Sequence, residues 1–240
     1  MTTGTRKRAR RGEGAALHTE ILDAARQLLA ETGSDEAVSV RAVAERVGVS
    51  TPSIYLHFAD KDALIDAVCE SVFADLGQAM EAAAEGVADP FDALKERGLA
   101  YVRFALANPE HYRIVLMSRG NAANSAAHML TTSTYQNLVE SVRQCQQAGV
   151  FSRDSDPTEL GTSLWAAAHG IAALLISNPA LVDPEHQMLV VEQVISAAGL
   201  GLALLQRIPQ QAGDPCPADL VAGLDAALGP PQAYVGPVGS

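Results

Sequence analysis

Residues 39–61, with the sequence SVRAVAERVGVSTPSIYLHFADK, contain the signals for two short helices separated by a tight turn. Ser39 is a suitable N-cap for the first helix, and Gly48 stands where a left-handed residue commonly ends a helix. Between them, apolar residues follow the spacing of one helical face: Val40, Val43, Ala44 and Val47. The pattern predicts a first helix of about two turns.

The second helix of this segment has a buried side and a polar side. Ser50 or Thr51 can cap it, and Pro52 fits its first turn because a missing N–H costs nothing there. Ile54 and Phe58 form the predicted inner face. Hydrogen-bonding groups remain on the outside, namely Thr51, Ser53, Tyr55 and His57, followed by Lys61 at the start of the next helix. Such groups contact phosphates and base edges, so the segment is predicted to be a helix-turn-helix that enters the DNA major groove.

The residue order in VRAVAERVGVS, in YLHF and in KDAL resembles the DNA-binding domain of the tetracycline-repressor (TetR) family of bacterial transcriptional regulators. The resemblance covers about residues 17–65 and implies an all-α protein whose partner is a double-stranded DNA operator. The family's recognition positions fall on seven residues: Arg41, Thr51, Ser53, Tyr55, Leu56, His57 and Lys61. The alternative is a generic helical protein, because a tyrosine on one helical face and a Gly-Val-Ser turn are common features.

Basic residues are concentrated near the N-terminus of an acidic chain. Residues 1–61 carry nine Lys/Arg and eight Asp/Glu, a net charge of +1, whereas the remainder carries eight and 20, a net charge of −12. A chain with a net charge of −11 repels nucleic acid, so DNA binding requires a local basic patch and is sensitive to salt. Residues 6–11 provide five cations within a predicted flexible arm, residues 1–16, that either reaches the DNA or stays a solvated tail.

Composition favours a cytoplasmic globular protein with no membrane partner. The chain has 240 residues, of which 48% are hydrophobic and 19% are charged. Cys69, Cys145 and Cys216 are spaced too widely for a disulfide framework or a zinc site. No signal peptide is visible, and the longest apolar stretch, residues 164–176, is shorter than the about 18 residues that span a membrane.

The remainder of the chain is predicted to be helical. Asx-Pro pairs at residues 89–90, 108–109, 156–157 and 183–184 are typical helix starts, because an Asx side chain caps and proline fits the first turn. Helices are expected at about residues 17–31, 61–85, 90–106, 108–117, 123–147, 157–177 and 184–207. The predicted organisation is an arm (1–16), a helix-turn-helix domain (17–63), a helical ligand-binding and dimerisation domain (64–208) and a Pro/Gly-rich tail (209–240).

The C-terminal half carries a second resemblance. Residues 108–113, NPEHYR, and the run LWAAAHGIAALL resemble a TetR subgroup with a Trp-x-x-x-His-Gly signature, here Trp165, His169 and Gly170. Trp165 and His169 are four residues apart and share one helical face, where they either line a cavity or simply pack. The predicted pocket for an unknown small-molecule effector consists of aromatic or adaptable side chains: Tyr101, Phe104, Tyr112, Met117, Met129, Tyr135, Trp165 and His169.

Two long apolar helices, residues 157–177 and 184–207, are candidates for a homodimer interface. Their small residues permit close approach, and two such helices with their symmetry mates form a four-helix bundle, as the family resemblance implies. A core within one chain would produce the same stripes, so periodicity does not separate the two interpretations. The predicted interface consists of Leu160, Leu164, Ala168, Ile171, Leu175, Val190, Val194, Ala198, Gly201 and Leu205.

The sequence offers no motif for catalysis, a cofactor or a metal. Its six histidines are scattered singly, and neither a Gly-rich phosphate loop nor a Gly-x-Ser-x-Gly motif is present. The predicted function is a ligand-responsive DNA-binding regulator, and repression is an implication of the family. The alternative is a ligand-binding or protein-interaction module with the same fold and no specific operator.

Overall fold

The computed structural model describes residues 13–33, 38–117 and 132–207, and within these ranges the regular structure is helical throughout. The all-α prediction is therefore confirmed. The predicted arm up to residue 12, residues 118–131 with Met129, residue 208 and the predicted tail (209–240) lie outside the described residues.

The first three helices are α1 (Glu13–Thr32), α2 (Val40–Val47) and α3 (Thr51–Tyr55). The Ser39 hydroxyl accepts a hydrogen bond from the Ala42 N–H at 3.1 Å, and Gly48 ends α2 in the left-handed region with φ 77°. Both predicted helix signals are confirmed. Helix α1 begins four residues before the predicted start at residue 17, so residues 13–16 are helical rather than part of an extended arm.

Burial explains how these helices pack. Ile54 on α3 is fully buried and Phe58 is 5% exposed, which confirms the predicted inner face. They join a core with residues of α1 and α2, including Ile21, Leu29 and Val43. The recognition segment is thereby fixed to the other two helices by apolar contacts on one side only.

Helix α4 (Lys61–Ala84) links the DNA-binding part to the body. Asp60 caps it as predicted, because the Asp60 carboxylate accepts from the Ala63 N–H at 2.8 Å. Leu64 and Val68 join the core beneath the first three helices, whereas Met80 lies near the other end of the helix within the body. The main hydrophobic core is therefore continuous from the DNA-binding helices into the body.

The body continues with α5 (Pro90–Ala107) and α6 (Pro109–Tyr112), and a π-helical turn (Arg113–Met117) directly follows α6. Helices α7 (Ser133–Gln147), α8 (Pro157–Ser177) and α9 (Gln187–Leu205) complete it. Helix α5 packs against α4, α7, α8 and α9, which places it at the centre of the body.

Two predicted helix starts and one predicted helix cap differ from the structure. The pair at residues 183–184 forms a turn, in which the Asp183 carboxylate accepts from the Glu185 N–H at 3.0 Å, and α9 begins only at Gln187. The Asn108 side chain does not cap α6; its amide donates backwards to the Phe104 carbonyl at 3.0 Å. Helix α7 begins at residue 133 rather than 123, because the extended Thr132 caps it.

Gly48 provides a test of the helix-turn-helix geometry. Because no atom lies within 4 Å of a Cβ built there, Gly48→Ala should be destabilising through backbone strain alone. We expect the free energy of unfolding to fall by about 1–2 kcal/mol. Gly14→Ala in α1 is the matched control, since it is equally open but has ordinary helical geometry; it should be neutral or stabilising by about 0.5 kcal/mol. Urea denaturation measures the free energy of unfolding of both variants. Equal losses of stability in Gly48→Ala and Gly14→Ala would contradict the strain argument.

Candidate nucleic-acid interface and ligand cavity

The outer side of α3 exposes two large side chains. Tyr55 is 52% exposed and Leu56 is 85% exposed, although Ile54 beside them is fully buried. Both side chains are therefore accessible to a partner from solvent. The tyrosine can donate or accept a hydrogen bond, and the leucine can contact apolar base edges such as the thymine methyl group.

The other predicted recognition residues surround this pair. Thr51, Ser53 and His57 are partly exposed on the same short segment, and the Ser53 hydroxyl lies 2.8 Å from the Ser50 hydroxyl. Lys61, at the first position of α4, is also partly exposed. All of these side chains face outward, and their positions are compatible with one DNA-facing surface. Their contact with DNA stays a prediction.

Two arginines on α2 have different roles. The Arg41 side chain is 84% exposed and pairs with Glu45 at 3.0 Å, an exposed pair that can exchange for a phosphate at little cost. Arg46 instead forms two hydrogen bonds to Glu31 on α1, at 2.8 and 2.7 Å. These bonds raise the pKa of Arg46 and lower the pKa of Glu31. Arg46 thus connects α2 to α1, while Arg41 is available to DNA.

Sequence reasoning missed one residue near this surface. His18 on α1 packs against Phe58, with ring centroids 4.7 Å apart, and lies edge-on to His57 at 6.0 Å. The contact helps to hold the end of the recognition segment against α1. No sequence pattern identified His18, because it is far in sequence from His57 and Phe58 and forms no known motif with them.

Two polar contacts connect the DNA-binding helices to the body. The Arg26 guanidinium on α1 pairs with Asp75 on α4 at 2.6 Å. The His111 ring on α6 lies 3.1 Å from the Arg26 carbonyl oxygen, where Nε2–H can donate to it. Helix α6 therefore contacts α1 directly. A movement of α6 within the body would act on the DNA-binding domain through this contact.

The body contains a cavity of about 50 Å³, which is lined by residues of α4, α5, α7, α8 and α9. Its wall is almost entirely apolar. Tyr101 and Trp165 line it, as predicted for pocket residues. Sequence reasoning missed other wall residues, including Met80, Phe91, Leu94, Leu138, Ile195 and Gly199. Their spacing is that of ordinary core residues, which gives no signal of an adjacent void.

A hydrogen-bonded chain connects the cavity wall with α6. The Trp165 indole N–H donates to the Tyr101 hydroxyl at 3.2 Å, and that hydroxyl lies 3.2 Å from the Tyr112 hydroxyl. Tyr112 in turn lies 2.6 Å from Nδ1 of His169, which is also 3.2 Å from Tyr101. His169 and Tyr112 thus belong to the predicted site through this chain rather than as cavity wall residues.

Burial sets the protonation states in this chain. It lowers the pKa of His169, so the neutral imidazole is favoured. Burial also raises the pKa of Tyr101 to about 12 and raises that of Tyr112, so both phenols keep their protons. Because both hydroxyls have a hydrogen to donate, Nδ1 of His169 is assigned as the acceptor, and the ring proton is on Nε2.

The remaining predicted pocket residues lie elsewhere. The Tyr135 hydroxyl bonds Thr162 at 2.7 Å and the Thr158 carbonyl at 3.1 Å, and its ring packs edge-on to Trp165. Phe104 is partly buried against the main core. The backbone of Met117 ends the π-helical turn, but its side chain, like Met129, is outside the described residues.

The predicted dimer stripe on α8 requires correction, because most of it faces inward. Leu160, Ala168, Ile171 and Leu175 are at most 8% exposed within one chain, so they have little surface to offer a partner. Three predicted interface residues line the cavity instead: Leu164, Ala168 and Ala198. On α9, Val190 and Val194 are partly buried against the main core, whereas Gly201 and Leu205 retain exposed surface.

The outward faces of α8, from Ala166 onward, and of α9 are also largely apolar. On α8 the outward residues include Ala166, Gly170 and Leu174, and on α9 they include Gln193, Ala197, Leu200 and Leu204. Leu174, Leu200 and Leu204 are 51%, 52% and 49% exposed. Each set repeats at three- and four-residue spacing and so forms one stripe along its helix. We call these two sets the outward stripes.

By length and composition, α8 and α9 are apolar enough to cross a membrane, with mean hydropathies of 1.4 and 1.9. Core helices pass the same test, and the inner faces of both helices pack against α5. These two helices therefore do not indicate a membrane protein. Among the residues that the structure describes, no group of three or more His, Cys, Asp and Glu side chains is placed to hold a metal ion.

Two family models match the chain. "Bacterial regulatory proteins, tetR family" matches residues 21–68, which include α2 and α3, and "Tetracyclin repressor-like, C-terminal domain" matches residues 94–198. Together they span more than half of the chain. The second description does not name the Trp-x-x-x-His-Gly subgroup, so that assignment stays a prediction.

Individual proteins give the same result. The class A tetracycline repressor from transposon 1721 of Escherichia coli is 44% identical over 55 residues, which span 23% of this chain and only 25% of that protein. A solved protein of unknown function from a Rhodococcus species is 26% identical, with a TM-score of 0.65 over 84% of this chain and 99% of its own.

The TetR-family transcriptional regulator PfmR from Thermus thermophilus is 25% identical, with a TM-score of 0.52 over 74% of this chain and 96% of its own. Regulators of this family are not enzymes, since they act by binding DNA. The family matches cover both the helix-turn-helix and the helical body described above. The chain therefore belongs to the TetR family of DNA-binding transcriptional regulators.

Proposed function

We propose that this protein is a cytoplasmic, ligand-responsive repressor that binds a pseudo-palindromic operator as a homodimer. The observation that carries the proposal is the exposed pair Tyr55 and Leu56 on the recognition helix of a helix-turn-helix whose inner side is fully packed. A short rigid helix with an exposed, chemically mixed outer side is suited to a major groove. The similarity to the class A tetracycline repressor supports repression rather than activation.

The homodimer is supported by surface that one chain leaves exposed. Only 22% of the most apolar part of α9 is buried, although its mean hydropathy is 1.9. Covering the outward stripes of α8 and α9 with those of a second copy removes that surface from water. The glycines Gly170 and Gly201 have no atom within 4 Å of a built Cβ, which leaves room for close helix approach. The proposed interface therefore includes Leu174, Ala197, Leu200, Gly201 and Leu204.

Two copies related by a two-fold axis present two recognition helices. Such dimers bind half-sites about one helical turn apart, or multiples of it, so the proposed operator is a pseudo-palindrome. The exposed residues Arg41, Thr51, Ser53, Tyr55, Leu56, His57 and Lys61 are its proposed contacts.

Ligand response is supported by the contacts between cavity and DNA-binding domain. The cavity residue Tyr101 lies 3.2 Å from the Tyr112 hydroxyl, and the residue before Tyr112, His111, lies 3.1 Å from the Arg26 carbonyl on α1. A ligand that moves Tyr101 or Trp165 also alters the position of α6 against α1. The operator is released if the ligand favours the altered conformation over the DNA-bound one.

Capture of genomic DNA fragments by the purified protein tests the regulator against the interaction-module alternative. At about 150 mM salt, weak phosphate-only contacts are largely screened. We expect enrichment of a two-fold symmetric motif by the wild-type protein and its loss with Tyr55→Ala. Fragments that share no motif would contradict the operator proposal and would favour the interaction module.

Deleting residues 1–11 tests the contribution of the basic arm. If all five cations in residues 6–11 of both protomers contact phosphates, the magnitude of the slope of log affinity against log salt should decrease by up to about 9, because each of the ten lost contacts removes about 0.9. A full-length variant with these five residues replaced by glutamine is the control, because it removes charge but keeps chain length. An unchanged slope in both variants would assign the arm to solvent.

A further inference from the structure

We infer that the cavity in the helical body binds a compact, uncharged and largely apolar molecule. This inference rests on the proposed ligand response and specifies the chemical class of the effector. It follows from the chemistry of the cavity wall, from the ion pair at its edge and from the hydrogen bonds of its two aromatic residues.

The wall provides apolar contacts from every enclosing helix. Met80, Leu94 and Leu138 come from α4, α5 and α7, while Leu164 and Ile195 come from α8 and α9. An apolar ligand loses its contact with water in such a site and forfeits no hydrogen bond. The size of about 50 Å³ favours a compact group over a long chain. A six-membered ring requires the wall to widen, since the engineered cavity that binds benzene measures about 150 Å³.

The cation in the wall is already neutralised. Lys95 on α5 pairs with Glu192 on α9 at 2.7 Å, and this pair raises the pKa of Lys95 and lowers that of Glu192. A carboxylate ligand would compete with Glu192 for Lys95 and would add a second negative charge beside it. A cationic ligand would meet Lys95 itself. Either charged group would also lose hydration against the apolar wall, so a neutral molecule is favoured.

The wall allows the ligand one modest polar group. Ser196, which carries a hydroxyl, is one of the residues that line the cavity, and the Tyr101 oxygen already accepts from Trp165 but has a second lone pair. A single hydroxyl on the ligand can be satisfied at either position. Ligands with several polar groups would bury some of them without partners.

Trp165 makes binding directly measurable, because it lines the cavity and is the single tryptophan of the 240-residue chain. Three probes share one six-membered ring and differ in charge at neutral pH: cyclohexanol, cyclohexanecarboxylate and cyclohexylammonium. We expect cyclohexanol to shift the Trp165 emission of the full-length protein at concentrations at least tenfold lower than either ion requires. Equal or stronger binding of an ion would overturn the inference.

Filling the cavity provides the site control. Ala198→Leu adds three carbon atoms to the wall and should abolish the response to cyclohexanol. Ala74→Leu on the exposed side of α4 makes the same chemical change away from the cavity and should preserve the response. Far-UV circular dichroism confirms that each variant folds. A folded Ala198→Leu protein with an unchanged cyclohexanol response would place binding elsewhere and overturn the inference.

Glu192→Gln tests the role of the ion pair. It releases Lys95 as an unpaired cation at the cavity edge, so cyclohexanecarboxylate should bind this variant at least tenfold more tightly than it binds the wild type. An unchanged affinity would contradict the assignment of charge selection to this pair. These measurements require no DNA, so a failed operator capture with intact cyclohexanol binding would reject the regulator proposal while retaining the ligand class.

Discussion

Replacing Leu200 with glutamate should convert the proposed homodimer into monomers and weaken operator binding by more than about 100-fold. Leu200 lies at the centre of the outward stripe of α9 and is 52% exposed in one chain. In a two-fold dimer the change places two carboxylates in an apolar interface. Each buried, unpaired charge costs several kcal/mol, and about 3 kcal/mol already corresponds to more than 100-fold. Light scattering on a size-exclusion column measures the mass, and fluorescence anisotropy measures operator affinity.

Leu181→Glu is the matched control for this substitution. Leu181 is 58% exposed and lies between α8 and α9, outside both outward stripes. We expect it to remain dimeric and to bind the operator normally. A dimeric Leu200→Glu protein would show that the interface lies on another surface. The sequence-predicted interface residue Leu164 is less suitable, since it lines the cavity and its substitution would disturb the fold of each chain.

Tyr55→Ala should reduce operator affinity by about 10- to 100-fold and leave the dimer intact. The ring is half exposed on α3, so its removal costs little folding stability, whereas a lost base contact costs about 1–3 kcal/mol. Affinity for unrelated DNA should change little, because phosphate contacts are retained. Anisotropy titrations with operator and scrambled duplexes give both values.

Tyr55→Phe separates the two parts of this contact. It keeps the ring and removes the hydroxyl, so a loss as large as that of Tyr55→Ala would assign the effect to a hydrogen bond. Unchanged operator affinity in Tyr55→Ala would remove Tyr55 from the interface. Mass measurement on the same samples excludes an effect through the dimer.

The helix-turn-helix was predictable because its signals are local. Ser39, Gly48 and Asp60 act on backbone groups within four residues, so the sequence alone determines these caps. The turn at residues 183–184 shows the limit of such rules, because the same Asp-Pro signal produced a turn and the helix began later. An Asx side chain can bond the N–H groups of a turn as well as those of a helix start.

The body was less predictable because α8 and α9 carry apolar residues on both their inner and their outer faces. Leu164 and Ala168 follow the spacing of a dimer stripe, yet both line the internal cavity. Only the packing of α8 against its neighbours decides which face remains exposed. The hydrogen bond between Tyr112 and His169 was unpredictable for a similar reason. The two residues are 57 positions apart in sequence, and only the fold brings them together.

The most direct test of this account is the spacing of the two half-sites. Operator duplexes recovered by capture are compared with duplexes that carry about half a helical turn, roughly five base pairs, inserted at the centre of symmetry. The insertion keeps the base sequence of each half-site but moves one half-site to the opposite face of the duplex, where the second recognition helix cannot reach it. The account predicts that affinity falls by at least about 100-fold and recovers in part with a full-turn insertion of about ten base pairs. Equal affinity for all three duplexes would contradict recognition by a two-fold dimer.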